Sequence, residues 1–412
     1  MSKLEEKLPE IPDSTEEIVV PEQLVDQVIG QDKAVEIVRL AAKQRRFLLL
    51  VGEPGTGKSL LGQAVAQMLG EDSLEDIISV ANARERVLPK IQAEPAGDGE
   101  KLVSRAKNLR RQSLLSERFI VLVAALAILI VSLFYALRND GSYGALAFGG
   151  ILLFLLYLAH QNLIKRTGAS VPKILVNNAN RKSAPFIDAT GSQSGALLGD
   201  VRHDPYQSGG SETSPHHLLE AGAIHRAHRG VLFVDEVATL SMESQQSLLT
   251  AIQEKELAIL GRSPGSSGTM VRSQPAPCDF LLILAGNVDD IDKMHPALRS
   301  RVRGYGYEIF TNSEIPVSQE NTQKMIQFIA QEVQRDGKIP HVERDGIKVL
   351  LDEAILRSSK ENFYTTRFRE LGGLIRCAGD LAENEGARFV SVEHVIKAKK
   401  FTMTLEEQQK AL

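Results

Sequence analysis

Phe47–Leu69 reads FLLLVGEPGTGKSLLGQAVAQML: a short apolar strand, a glycine loop and a helical run. The spacing Gly52-x4-Gly57-Lys58-Ser59, in that strand-loop-helix context, is that of a phosphate-binding loop. Glycines let backbone N–H groups wrap phosphate oxygens, and the helix N-terminus adds its positive dipole end. The candidate ATP-binding residues are therefore Gly52, Glu53, Pro54, Gly55, Thr56, Gly57, Lys58, Ser59 and Leu60. Lys58 is suited to reach the β and γ oxygens as a point charge, and the Ser59 hydroxyl to ligate Mg2+. The fold class this implies is α/β, built on a P-loop core.

Working downstream, Val231–Glu236 (VLFVDE) is a second buried strand that ends in two acids. After a phosphate loop, such a pair suits magnesium binding by Asp235 and polarisation of an attacking water by Glu236. Phe280–Ala285 (FLLILA) is a third apolar strand and ends at Gly286-Asn287. A polar side chain there can lie beside the water and the γ-phosphate. From Asn312 the pattern changes to helical periodicity, with helices expected over Asn321–Gln334, Gly346–Arg357, Arg367–Glu385 and Val392–Lys400.

A different kind of segment separates the phosphate loop from the acidic strand. Phe119–Leu137 (FIVLVAALAILIVSLFYAL) is apolar apart from Ser132 and Tyr135. As a helix it would measure roughly 28 Å, one hydrocarbon core. A polar turn follows at Arg138–Tyr143, then a second apolar run, Gly144–Ala159, extending to Ile164. Arg105, Lys107, Arg110, Arg111 and Arg118 precede the pair, and Lys165, Arg166 and Lys173 follow it. Basic residues on both flanks predict a two-helix transmembrane hairpin with both flanks in the cytoplasm, where ATP is available.

The 412 residues, 43% hydrophobic and 24% charged, fit a globular protein with a short membrane insert. A net charge of −4 provides no general basic field, so no nucleic-acid partner is expected. Cys278 and Cys377 match no metal or disulfide spacing, which suits a reducing cytosol. The polar, acidic N-terminus lacks the apolar core of a secretory signal. His216, His217, His225 and His228 cluster ahead of the acidic strand without a cysteine or carboxylate to complete a zinc set, and read as surface or subunit-contact residues.

With these motifs in order, the chain resembles the AAA+ ATPases. VIGQDKAV (Val28–Val35) resembles that family's adenine-side box, which implies that Val28 and Ile29 pack on the base. Asn287 matches sensor 1. In HPALRSRVRGYGYEI (His295–Ile309) the resemblance implies an arginine finger acting on a neighbouring subunit, Arg301 first and Arg299 second. TTRFRELGGLIRCA (Thr365–Ala378) resembles the sensor-2 helix of a small helical lid, with Arg369 the best match and Arg367 and Arg376 the alternatives. A finger acting in trans implies a homo-oligomeric ring, usually a hexamer.

The combination of that core, the inserted hairpin, DATGSQSGALLGDVRHDPYQSGG (Asp188–Gly210) and RFRELGGLIRCAGDLA resembles the membrane-anchored archaeal B-type Lon family from about Pro21 to Leu405. The organisation implied is a polar tail (1–20), a first core part (21–117), the hairpin insert (118–166), a second core part (167–312), the lid (313–405) and a C-terminal end (406–412). In that family the ring threads unfolded or misfolded proteins into a serine-lysine peptidase that follows the lid. No residue here offers that nucleophile, so the expectation is the motor part of the protease at the cell membrane. A membrane-tethered remodelling ATPase without proteolysis is the alternative. Gly195–Gly199 (GALLG) corresponds to the family's pore loop. Leu197 and Leu198 stand where an aromatic-aliphatic pair is usual, with Tyr206 nearby as a substitute. GALLGDVRHDP and the segment Arg262–Pro277 also resemble helicase-like and chelatase-like motors, but the hairpin and the lack of a basic stripe argue against a nucleic-acid substrate.

Overall fold

Phe47–Val51 alternates its side chains between two apolar layers, and this places it in the middle of the molecule. Leu48 and Leu50 pack on one face with Val231, Phe233, Leu281 and Ile283. Leu49 and Val51 pack on the other with Leu232, Val234, Leu282 and Leu284. A strand buried on both faces belongs in a parallel sheet covered by helices. The computed structural model, which describes residues 11–71, 73–85, 87–138, 143–167, 170–202, 214–262, 270–403 and 408–409, has that sheet. Its strands run in the order Gly306–Phe310, Phe47–Val51, Leu281–Gly286, Val231–Val234 and Phe186–Asp188. Each neighbouring pair is parallel, with Leu49 opposite Leu284 and Leu282 opposite Leu232.

Asp32–Gln44 and Lys58–Leu69 cover the first face through Val38, Ala41, Leu61 and Val65. Met242–Glu254 and Pro296–Tyr305 cover the second through Leu248, Ala251, Leu298 and Val302. The chain leaves Phe47–Val51 for the far edge of the sheet and then returns strand by strand, crossing it to reach Gly306–Phe310, so the sense of the connections reverses at this strand. That is the switch point where open α/β sheets hold ligands at their C-terminal edge.

The lid is a separate core. Helices Gln319–Asp336, Arg344–Leu356, Phe368–Asn384 and Val392–Phe401 pack around Tyr364, Leu371, Leu374 and Ile375. Each lies within a few residues of its expected span. Buried Tyr364 bonds Thr322 through its hydroxyl at 2.9 Å. Part of the stretch read as a polar tail is docked here: Thr15 is 1% exposed, its N–H donates to Val342 O at 3.0 Å, and its hydroxyl bonds His341 Nδ1.

The insert departs from its expected start. The first helix runs Asp98–Arg138, 41 residues, so the basic stretch before Phe119 is one continuous helix with the apolar run. The second helix, Tyr143–Thr167, packs beside it. Among the described residues only the first is long and apolar enough to cross a membrane; the apolar part of the second is Leu146–Ala159.

Both chain crossings into this insert meet at Asp76, which is fully buried. Its carboxylate accepts N–H bonds from Gly97 (2.8 Å) and Gly99 (3.2 Å) on entry and from Asn178 (2.8 Å) on return. Asp76 belongs to Glu75–Val80, the central strand of a small antiparallel sheet with Lys90–Pro95 and Lys173–Val176. Glu75, beside it, bonds His228 at 2.7 Å and Arg229 at 3.0 Å, just ahead of the acidic strand.

The reading of the histidines as surface residues is corrected. His216, His225 and His228 are at most 2% exposed. Each ring is held from within: His216 by Ser170, Ser214 and Val171 O, His225 by Leu257 O, and His228 by Glu75 and the Asp279 N–H. An imidazole can enter a core when its polar atoms find such partners.

Candidate functional site

The glycine loop leaves Val51 and turns over the C-terminal edge of the sheet. Gly55 and Gly57 have φ of 84° and 87°, a left-handed region that favours glycine. Gly52 has no room beside it, since a Cβ would lie 2.0 Å from Thr311 Oγ1. Thr56 bonds Thr311 Oγ1 at 2.9 Å, and Gln31 bonds both the N–H and the carbonyl of Asn312. Gln31, Thr311 and Asn312 thus brace the loop, and motif reading did not single them out. A buried polar residue inside VIGQDKAV was the available signal for Gln31.

Lys58 is 6% exposed, and its ammonium donates to Gly52 O at 2.8 Å and Glu53 O at 3.0 Å. Burial pulls its pKa below the ordinary lysine range, while the negative charges of Asp235, Asp290 and Glu236 oppose that shift and Arg369 adds to it. One cation therefore senses both acids of the VLFVDE strand and the acid at position 290. Ser59 is exposed at the start of the following helix.

Asp235 ends its strand with its N–H donating to Thr190 Oγ1 at 2.9 Å, and its carboxylate accepts the Glu236 N–H at 2.9 Å. Glu236 is exposed and held at φ 49°, a left-handed conformation costly for a residue with a side chain. Asn287 caps Val288–Asp292: its Oδ1 accepts from the Asp290 N–H and its own N–H donates to Asp290 Oδ2, both at 3.0 Å. With Oδ1 so engaged, the amide nitrogen is the part of Asn287 left for a ligand or water.

The lid closes over the loop. The Phe368 N–H donates to Gly55 O at 3.0 Å, and Arg367 pairs with Glu53 at 2.6 Å. Arg369, two residues on, lines a cavity of about 270 Å³ together with Val28, Ile29, Thr56, Gly57 and Leu60. Phe328 and Phe368 supply further apolar wall, and Glu332 sits at its edge between Arg335 and Arg376. The structure therefore brings Val28 and Ile29, the glycine loop and Arg369 to one cleft, and occupies Arg367 with Glu53.

Other expected residues lie apart. Arg301 stacks its guanidinium 4.1 Å over the Tyr305 ring, and its Nε is buried without a partner. Arg299 leans toward Asp292 at 3.8 Å. Leu197 corrects the pore-loop expectation: it is fully buried in the second apolar layer, on the short helix Ser194–Leu198. A side chain serving the core cannot also grip a passing chain. Leu198 is half-buried, and Tyr206 lies outside the described residues.

Comparison with known proteins gives a consistent pattern. The profile described as Sigma-54 interaction domain matches residues 170–289, and that of magnesium chelatase, subunit ChlI, matches residues 24–98. The Archaeal Lon protease of Thermococcus kodakarensis is 50% identical over 395 residues, covering 96% of this chain and 61% of that protein. The Archaeal Lon protease of Archaeoglobus fulgidus is 49% identical, covering 96% and 63%. A Putative lon protease homolog of Thermoplasma volcanium is 35% identical and covers 97% of this chain and 91% of its own length. The chain spans about three fifths of the length of the first two relatives. A solved structure of NtrX from Brucella abortus in complex with ADP, at 12% identity, covers 95% of this chain and 56% of its own with a TM-score of 0.42, too distant to bear on the site.

Proposed function

The chain belongs to the archaeal Lon protease family, and from that premise we propose that it is the ATP-driven motor of a membrane-anchored Lon-type protease. The observation that carries the motor reading is one cleft, lined by Val28, Ile29, Thr56, Gly57, Leu60 and Arg369, at the loop whose buried Lys58 ammonium lies in the field of Asp235 and Glu236. In this reading Val28 and Ile29 hold the base, and Gly52–Leu60 cradle the phosphates. Lys58 and Arg369 neutralise charge on the transferred group. Glu236 takes the proton of the attacking water, and Asn287 orients that water through its amide nitrogen.

A magnesium ion fits the donor set of Ser59 and Asp235, a hydroxyl and a carboxylate, since Mg2+ favours hard oxygen ligands. When bound, it supplies charge neutralisation on the β and γ oxygens. Arg301 is the proposed finger toward a neighbour's γ-phosphate in a homo-oligomeric ring, a hexamer. Its Nε, buried without a partner, supports that assignment over Arg299, which already leans toward Asp292.

Anchoring rests on the two-helix insert. Phe119, Leu122, Leu126, Phe134 and Leu137 are each at least 60% exposed on the first helix. An apolar surface of that extent is unfavourable in water and natural in lipid. The ATPase body then lies at the cytoplasmic face of the cell membrane. Unfolded or misfolded proteins are the proposed substrates, drawn past Leu198 and the segment holding Tyr206. Serine-lysine peptide cleavage is assigned to the portion by which the relatives exceed this chain, not to any residue here.

ATP turnover tests the motor reading. Glu236→Gln should keep ATP binding and lose roughly 10²-fold or more in hydrolysis, the usual contribution of a general base. Wild-type turnover in that variant would remove Glu236 from the mechanism. Lys58→Ala should lose nucleotide affinity in a direct binding titration.

A further inference from the structure

Below the apolar run, the first insert helix turns a set of cations toward the globular body. Lys107, Arg111 and Arg118 are spaced by four and seven residues and share one helix face, with Arg110 adjoining it. They line a concavity of about 520 Å³ whose far wall is Val171 and His217. All four cations are exposed, and among the described residues no acid pairs with any of them. Lys101, Arg202, Arg344 and Lys348, by contrast, each have a carboxylate within 3 Å.

The opposite wall is built rather than loose. His217 stacks on buried His216 with centroids 4.0 Å apart, and Lys173 fixes the carbonyls of His217 and Leu219 at 3.0 and 2.6 Å. Lys173 thereby adds a fifth positive charge behind the cavity. Arg118 immediately precedes Phe119, where the apolar run begins. On the membrane reading of the insert the cavity then lies near the level of a lipid headgroup, and Leu115 lines it beside the cations.

We propose that this cavity binds the phosphate of an anionic membrane lipid, with Lys107, Arg110, Arg111 and Arg118 as its ligands. The proposal rests on the membrane reading of the insert. Arginine and lysine suit the role because their charge persists at all relevant pH and their long stems reach the interface. Each such cation near an anionic bilayer raises association roughly five-fold, so the four together give a preference of roughly 10²- to 10³-fold for anionic over zwitterionic headgroups.

The test uses the full chain in nanodiscs containing equal amounts of phosphatidylglycerol and phosphatidylcholine, released for native mass spectrometry to count retained lipids. Preferential retention of phosphatidylglycerol is expected. It should fall at least tenfold on combined replacement of Lys107, Arg110, Arg111 and Arg118 by Gln, and survive replacement of the three arginines by Lys. The Lys variant separates charge from folding. Displacement of the lipid by millimolar inorganic phosphate would reassign the cavity to a free anion and overturn the lipid assignment. Equal retention of both lipids by a protein that still inserts would overturn the proposal while leaving the membrane reading intact. Failure to insert into any nanodisc would overturn both.

Discussion

A single methyl group on Gly52 would collide with the Thr311 hydroxyl that helps brace the phosphate loop. Gly52→Ala should therefore destabilise the loop by about 1–3 kcal/mol, the usual range for overpacking, and weaken ATP binding in a titration. His225 makes a different prediction. Burial pushes its pKa down to about 4; Nε2 bonds Leu257 O, and Nδ1 is buried without a partner. The folded value lies below the unfolded value near 6.5, so above pH 6.5 neither state binds the proton and no penalty arises. As pH falls from 6.5 toward 4 the unfolded chain binds the proton and the folded one resists. Stability should drop by roughly 3 kcal/mol across that window. Calorimetric melting at pH 7 and pH 4.5 checks this, and His225→Asn should shrink the difference by its own share, leaving that of His216, whose pKa burial also lowers to about 4. The phosphate loop and the acids at Asp235-Glu236 were legible because spacing alone constrains them. Burial of His225 was not, because it depends on a carbonyl 32 residues away.

Among elements, the strands of the sheet and the lid helices were readable from periodicity. Val231–Val234 and Phe47–Val51 lie where their sequences place them. The start of the insert was not readable, because a basic helix and a basic loop have the same composition. What decides between them is Asp76, a remote carboxylate that satisfies the first N–H groups of the helix and the returning strand together. Asp76→Ala would leave the buried N–H groups of Gly99 and Asn178 and the half-buried one of Gly97 without a partner, each worth about 1.5–3 kcal/mol when bonded to a charged group. Hydrogen exchange at Gly97, Gly99 and Asn178 should accelerate roughly 100-fold, while amides in the lid keep their protection. Unchanged exchange at those three positions would mean that the insert is fastened by other contacts.

On the scale of the whole molecule, lid and core meet on the phosphate loop through Phe368 to Gly55 and Arg367 to Glu53, and beside it through Lys324 to Asp32 and Gln327 to the Asp26 carbonyl. A nucleotide between them should stabilise both bodies together. At 100 times its Kd, ATP should add about 2.7 kcal/mol, visible as a raised melting temperature in the wild type and absent in Lys58→Ala. The proposed finger role of Arg301 would be completed only by a second copy of the chain. The unbroken helix Asp98–Arg138 carries its own consequence. About 20 of its 41 residues precede the apolar run, a length of roughly 30 Å. In the proposed placement that stretch runs along the globular body: Val103 is buried, and Lys107 to Arg118 face Val171 and His217 across one concavity. The helix would then act as a splint that holds the body close against the bilayer, so a tilt of the motor would pass into the membrane without a hinge to absorb it.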